Sequence, residues 1–312
     1  MNKARIFIDG KEGTTGLRIF ERLRGREELE VFSLPDELRK DTAARKEALN
    51  NCDIAFLCLP DAASIEAVSL IDNPDVKVID ASTAHRTLPD WAYGFPELSA
   101  EHLEKVKNSK RVAVPGCHAS GFVALVYPLV AAGILPADAL ITCHSITGYS
   151  GGGKKMIAEY ENGCRTPNFD SPRQYALTQQ HKHLKEMKAI TGLEKEPVFC
   201  PIVSDYYSGM AVTVPLFKEN LAQGKTVADI IEVYKNTYTT EFVSYREDTG
   251  SDAMMNANAL RCKDYMEIFV QGNEDRILLI ARFDNLGKGA SGAAVECMNI
   301  MLGLDPKTGL SF

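Results

Sequence analysis

The sequence predicts an α/β protein in which a doubly wound parallel sheet is joined to an α+β domain with a mixed, largely antiparallel sheet. Three observations carry this. In the first 115 residues, short apolar runs alternate with amphipathic stretches, as in parallel strands joined by helical crossovers. After Cys117 and one long apolar segment, the strand candidates follow one another with loops between them. The closing segment, Gly289 to Leu302, is alanine-rich and amphipathic, suited to a helix that returns to the first domain. The expected domains are therefore 1–116 with 286–312, and 117–285.

In chain order, ARIFID (4–9) is the first strand and Leu17-Arg-Ile-Phe-Glu-Arg-Leu begins the first helix. LEVFSL (29–34) and IAFLCL (54–59) follow as strands, then a helix from Ala62 to Ile71, then the strands VKVID (76–80) and RVAVPG (111–116). Ala119 to Ala137 is uncharged but interrupted by Pro128 and Pro136, which suits a core helix better than a membrane span. The second domain has ALITCHSIT (139–147), VFCPIVS (198–204), MAVTVPLF (210–217), MEIFVQG (266–272) and RILLIARF (276–283).

Composition narrows the function classes. The chain has 312 residues, 45% hydrophobic and 25% charged, with a formal net charge of -7 and interspersed signs. This argues against nucleic acid or an anionic membrane as partner and favours small molecules. Eight cysteines are scattered without a C-x-x-C pair, and MNKARIFIDG has no signal-peptide apolar region, so a cytoplasmic location is expected.

The first βα turn reads Gly10-Lys-Glu-Gly13-Thr-Thr-Gly16. Glycines there let the backbone approach a pyrophosphate at a helix N-terminus, and the hydroxyls of Thr14 and Thr15 can add donors. The spacing is G-x-x-G-x-x-G, so a plain tight turn is the alternative. The second strand ends in Ser33-Leu34-Pro35 rather than in the acidic residue common at NAD sites, and Arg39 and Lys40 follow; these point to NADP, unless the two cations are merely solvated.

Cys117 lies in Val114-Pro-Gly-Cys-His-Ala-Ser-Gly121 at the start of the apolar helix. Helix N–H groups and the dipole favour a thiolate there, and Gly116 and Gly121 would permit a sharp entry and close substrate approach. A buried structural cysteine is the competing reading of this segment. His181 and His183 are candidates for acid/base work; as an i, i+2 pair they could also be metal ligands or surface histidines, although no carboxylate-and-Cys constellation accompanies them, and no metal is expected.

Taken in order, Gly10–Gly16, Asp80-Ala-Ser-Thr-Ala-His-Arg86, Tyr93-Gly-Phe-Pro-Glu97, Pro115-Gly-Cys117, Thr147-Gly-Tyr-Ser-Gly-Gly-Gly-Lys154, His181-Lys-His183 and Asp284-Asn-Leu-Gly-Lys-Gly289 closely resemble the N-acetyl-gamma-glutamyl-phosphate reductases, in their shorter type. The resemblance spans nearly the whole chain. It implies NADPH-dependent reduction of an acyl phosphate to N-acetylglutamate 5-semialdehyde with phosphate release, a step of arginine biosynthesis, by a cytoplasmic homo-oligomer, a dimer or tetramer. In that light Cys117 is the thioester-forming nucleophile and His183 the acid/base residue. His181 and Glu186 help bind substrate, as do Ser150, Gly151 and Lys154 of the glycine-rich loop and Arg86. Ser82 and Asn285 lie toward the cofactor. The blander readings are a flexible loop for residues 150–154, a surface ion pair for Arg86, and a cap or turn for Asn285. Around the nucleophile the family has Asn-Pro-Gly-Cys-Tyr, whereas this chain has Val114 and places His118, Ala119 and Ser120 after the cysteine, so the hydrogen bonding of this loop is expected to differ. His118 is near enough to Cys117 to tune it, while His85, His102 and His144 receive no role and most of the other cysteines, lying in apolar runs, are read as core fillers. Aspartate-semialdehyde dehydrogenase, or a reductase of a differently blocked glutamyl phosphate, is the nearest alternative. A Cys-His acyl hydrolase would not explain Gly10–Gly16, and a non-catalytic dinucleotide sensor would not explain Cys117, His183 and the basic loop together.

Overall fold

The computed structural model describes residues 3–250 and 254–312. In chain order the elements are β1 (Ala4–Asp9), α1 (Thr14–Leu23), β2 (Leu29–Phe32), α2 (Thr42–Asn50), β3 (Ile54–Leu57), α3 (Asp61–Ser69), β4 (Lys77–Asp80), β5 (Ala92–Tyr93), α4 (Ala100–Asn108), β6 (Arg111–Ala113), α5 (Cys117–Ala131), β7 (Thr142–Gly148), α6 (Gly153–Glu161), β8 (Arg173–Gln174), α7 (His183–Thr191), β9 (Val198–Ser204), β10 (Met210–Phe217), α8 (Val227–Thr237), β11 (Val243–Tyr245), β12 (Met266–Gly272), β13 (Arg276–Phe283) and α9 (Gly292–Leu302). They form two compact units. The first comprises the chain up to Pro96, Ala100–Pro115 and Ala290–Ser311; the second comprises Glu97–Ser99, Gly116–Gly289 and Phe312. The return to the first unit thus falls at Ala290 rather than at Leu286.

The first unit holds a six-stranded sheet of order β2-β1-β3-β4-β6-β5, parallel throughout. Successive residues of a strand face opposite sides, and both sides are covered. Ile6 and Ile8 of β1 share one core with Ile19 and Leu23 of α1 and with Ala293–Val295 and Met298 of α9. Phe7 belongs to the other core, with Ala48 and Leu49 of α2 and Ala67 of α3. The sheet is therefore doubly wound. Its strand order reverses between β1 and β3, where sheets of this kind collect ligands beyond their carboxyl ends.

The second unit holds a seven-stranded mixed sheet of order β11-β12-β13-β10-β7-β9-β8. Four of its six neighbouring pairs are antiparallel, and β11–β12 and β7–β9 are parallel. Helix α5 packs on this sheet through Gly121, where an added Cβ would stand 2.5 Å from Val212 and 2.8 Å from Phe283. Gly121 therefore serves close packing of helix on sheet rather than the approach of substrate. Pro128 stands inside α5 and has no N–H to offer the carbonyl of Ala124. The Tyr238 hydroxyl donates to that carbonyl at 2.6 Å, and Tyr234 donates to the neighbouring carbonyl of Leu125 at 2.6 Å. We expect Tyr238→Phe to lower stability by about 1–3 kcal/mol, because it orphans a buried acceptor; urea unfolding with an unchanged midpoint would contradict this.

Candidate active site

In the first unit, β1 runs into the glycine turn and then α1. Gly10 has φ +86, and a side chain there would press on the carbonyl of Cys58; one at Gly16 would press on the carbonyl of Gly10. These two glycines are required by backbone conformation and by close approach. Gly13 caps α1 without a side-chain bond, the first turn has no acidic residue, and the Thr14 hydroxyl is buried without a hydrogen-bond partner. Thr15 follows it in the same turn. A bare, uncapped helix start with an orphaned hydroxyl fits the phosphates of a dinucleotide. Because β1 and β2 are parallel and adjacent, the segment 33–40 leaves the sheet at the same end as this turn. Ser33 is half-buried, Lys40 is exposed, and Arg39 lies 3.7 Å from Asp36.

Behind the turn, Arg45 of α2 joins Asp9 at 3.0 Å and Glu66 of α3 at 2.8 Å. Burial raises the Asp9 carboxyl above its usual range, and Arg45 opposes that rise. At the end of β4, the buried Asp80 accepts from Ser64 Oγ at 2.7 Å, Ser82 Oγ at 2.6 Å and the Ser82 N–H at 2.9 Å, and it pairs with His85 Nδ1 at 2.6 Å. Ser82 is thereby fixed to the sheet edge. Arg86 is buried, with Nε on the carbonyl of Val114 at 2.8 Å and Nη2 on that of Ala81 at 3.1 Å, so it ties together the loops that follow β4 and β6.

In the second unit, Cys117 is the first residue of α5, and its cap, Gly116, has ordinary extended angles of -74° and 143°. The glycine is therefore not needed for its conformation. The Gly116 N–H donates to Glu186 Oε1 of α7 at 2.9 Å, which fixes the residue before the thiol. The turn around Gly289 crosses directly above, since a Cβ on Gly289 would lie 3.1 Å from that of Cys117. His183 is buried in the first turn of α7. His181 accepts the His183 backbone N–H on Nδ1 at 3.1 Å, and the two rings meet edge-on at 4.6 Å.

The departure at position 118 has a structural consequence. His118 is buried, with Nδ1 2.6 Å from Ser145 Oγ and Nε2 2.7 Å from the Tyr175 hydroxyl. Its ring centroid lies 5.8 Å from His181, 5.7 Å from His183 and 5.3 Å from Phe199. Tyr175 begins a segment of left-handed backbone turns that is pinned by pairing. Ala176 and Gln179 have φ of 52 and 55, and the Gln179 amide exchanges two hydrogen bonds with the backbone of Phe199. Neither Tyr175 nor Ser145 had a local sequence signal, because their partner lies far off in the chain. Ser150 and Asn285 engage each other, with Asn285 Nδ2 donating to Ser150 Oγ at 3.0 Å and its Oδ1 accepting from the Gly209 N–H at 2.9 Å. Gly151 lies beside Asn285 Nδ2, while Lys154 is exposed in α6. Among the described residues, no group of three His, Cys, Asp or Glu side chains is arranged to hold a metal, and no helix is long and apolar enough to cross a membrane.

Burial pushes His118 down to about 3 and His181 down to about 4, so both rings are neutral near pH 7. Burial pushes the thiol of Cys52 up to about 12 and also raises Cys58 and Cys143, as suits core fillers. The linkage has a definite sign. Below about pH 6.5 the unfolded chain binds protons that the folded rings refuse, so stability falls as pH falls, by about 2 kcal/mol between pH 7 and pH 5 for His118 alone. Unfolding of His118→Gln should lose that part of the pH dependence; an unaltered slope would contradict it.

The glycine turn on a doubly wound sheet, with a cysteine and histidines on a mixed sheet, defines a protein of the semialdehyde dehydrogenase class. Family models agree: residues 33–106 match the semialdehyde dehydrogenase NAD binding domain and residues 117–285 the semialdehyde dehydrogenase dimerisation domain. Within that class the chain belongs to the N-acetyl-gamma-glutamyl-phosphate reductase family. It is 45% identical to the N-acetyl-gamma-glutamyl-phosphate reductase of Sinorhizobium medicae, over 96% of this chain and 99% of that protein. It is 43% identical to N-acetyl-gamma-glutamyl-phosphate reductase 2 of Nostoc sp., over 99% and 100%. Aspartate semialdehyde dehydrogenase II of Vibrio cholerae superposes with a TM-score of 0.72 at 18% identity, over 97% of this chain and 99% of that one. The Candida albicans aspartate semialdehyde dehydrogenase with NADP gives 0.67 at 14%, over 96% and 99%. At such identities these structures establish the shared fold.

Proposed function

We propose that this chain reduces N-acetyl-gamma-glutamyl phosphate with NADPH, releasing phosphate and N-acetylglutamate 5-semialdehyde, as a cytoplasmic step of arginine biosynthesis. The observation that carries the reading is the place of Cys117, first residue of α5 and followed by His118, whose ring packs with those of His181 and His183, in a chain whose full-length relatives bear that enzyme's name. The Cys117 thiolate, favoured by the N–H groups of α5, attacks the acyl carbon. The bond to phosphate breaks and a thioester forms. Gly10, Gly13, Gly16, Thr14 and Thr15 hold the cofactor phosphates, with Ser33, Arg39 and Lys40 toward the 2'-phosphate and Ser82 and Asn285 toward the nicotinamide. Bound NADPH supplies the hydride that reduces the thioester carbon. His183 gives a proton to the resulting oxygen and takes it back as the carbon–sulfur bond breaks, which frees the aldehyde and restores the thiolate. His181, Glu186, Arg86, Ser150, Gly151 and Lys154 form the substrate-binding set, with Glu186 acting through Gly116.

The test is the reverse reaction, followed as NADPH formation from N-acetylglutamate 5-semialdehyde, NADP and phosphate. Activity that requires phosphate supports the reading. Turnover of aspartate semialdehyde or of a differently blocked glutamate semialdehyde instead would replace the substrate.

The open face of the mixed sheet supports a homo-oligomer. Ile146 and Leu278 on it are 38% and 39% exposed, and they are flanked by half-buried Ile202, Ala211 and Ile280. An apolar patch of this kind supports an interface between copies of this chain. Ile146→Asp should shift the mass in light scattering toward the monomer, and an unchanged mass would rule this face out.

A further inference from the structure

The hydroxyl of Tyr175 has a direction that follows from proton bookkeeping around His118. Ser145 is fully buried, and His118 Nδ1 is the hydrogen-bond partner of its hydroxyl among the described residues. If Nδ1 carried the proton of the neutral ring, the Ser145 proton would be buried without an acceptor, an arrangement folded proteins avoid. Ser145 therefore donates to Nδ1, and the ring proton resides on Nε2. That Nε2–H donates to the Tyr175 oxygen at 2.7 Å, so the phenol's own proton points away from the ring. His118 is the hydrogen-bond partner of the Tyr175 hydroxyl among the described residues, which leaves that proton for a ligand. The backbone N–H of Tyr175 is anchored on the Pro201 carbonyl of β9 at 3.0 Å, its hydroxyl is held by His118, the residue after Cys117 in α5, and the phenol lies within electrostatic reach of Cys117. Burial, and then the negative charge of Cys117, hold the pKa of Tyr175 above the usual tyrosine range, so it stays a donor through neutral pH.

We propose that Tyr175, oriented by Ser145 and His118, donates its hydroxyl proton in a hydrogen bond to the acyl oxygen of the substrate held at Cys117. The inference rests on Cys117 being the nucleophile. Tyr175 is then a catalytic residue, and His118 and Ser145 are positioning residues. The donor strengthens its bond as charge develops on that oxygen when sulfur adds, and the proton remains on the phenol.

The experiment measures kcat and KM for Tyr175→Phe, Ser145→Ala and Ser145→Thr in the reverse assay, beside the rate at which iodoacetamide alkylates Cys117, located by mass spectrometry among the eight cysteines. Alkylation develops no oxyanion and serves as the structural control. For Tyr175→Phe we expect kcat to fall about 100-fold, with KM and the alkylation rate within about threefold of wild type. Ser145→Ala should fall in the same direction and Ser145→Thr should restore it. A kcat for Tyr175→Phe within threefold of wild type overturns the inference, as does a parallel loss of alkylation, which would make the residue structural. A rise in KM alone would assign the hydroxyl to an oxygen that does not react, and overturns it too. Wild type inert toward the aldehyde and phosphate would instead overturn the parent reading.

Discussion

Cys117→Ser abolishes phosphate-dependent NADPH formation, by about a thousandfold or more, while NADPH still raises the melting temperature. A serine hydroxyl at the start of α5 gains from the same helix dipole, but its far higher pKa leaves almost no alkoxide at pH 7, and an ester would replace the thioester. The glycine turn proposed to hold the cofactor belongs to the other unit, so the substitution is expected to leave NADPH binding intact. Stabilisation by NADPH in both proteins, with turnover in wild type alone, is the expected pattern. Turnover within tenfold of wild type would remove Cys117 from the mechanism.

The second large effect is on stability. Lys288 and Glu97 form an ion pair at 2.6 Å with side chains only 1% and 5% exposed, and the ammonium also lies 4.9 Å from the centre of the Phe242 ring. Glu97→Ala removes the anion and leaves a buried ammonium, at a cost of about 3–5 kcal/mol. The double variant Glu97→Ala/Lys288→Met removes both charges and should recover much of that loss, since an apolar pair of similar size needs no desolvation. Urea midpoints for the two variants check this, and a double variant no more stable than the single would show that the charges do not act as a pair. The loss should also reach the site, because Lys288 immediately precedes Gly289, the residue lying against Cys117.

The readable parts of the chain were those whose cause is local. Strand β1, the Gly10–Gly16 turn and α1 follow from period-two apolar residues, a glycine triplet and a helical pattern in unbroken succession. Helix α2 escaped notice because its buried face includes Arg45, whose charge is answered by Asp9 and Glu66 from elsewhere. Tyr175 carried no signal at all: its meaning comes from His118, 57 residues away, and from Ser145 behind that ring. The substitution of His118 for the family's tyrosine was visible, and so was the expectation of altered hydrogen bonding, but not the partners. Gly116 and Gly121 show the converse. Both glycines stand out in the sequence, yet one adopts ordinary angles and the other serves helix-on-sheet packing.

The final helix, α9, supplies Ala293–Val295 and Met298 to the same core as Ile6 and Ile19, and this sets the order of events on the ribosome. The first 115 residues emerge with one side of their sheet covered only in part, by α1 and α4, and the remaining cover is encoded after Gly289. At about 5–20 residues per second, the wait is roughly 10–40 s. During that time Ile19, Leu23 and Val106 have no helix α9 to meet, so apolar surface of the first unit stays uncovered until the chain is nearly complete. A chain ending before Gly292 would lack α9 and its part of that core.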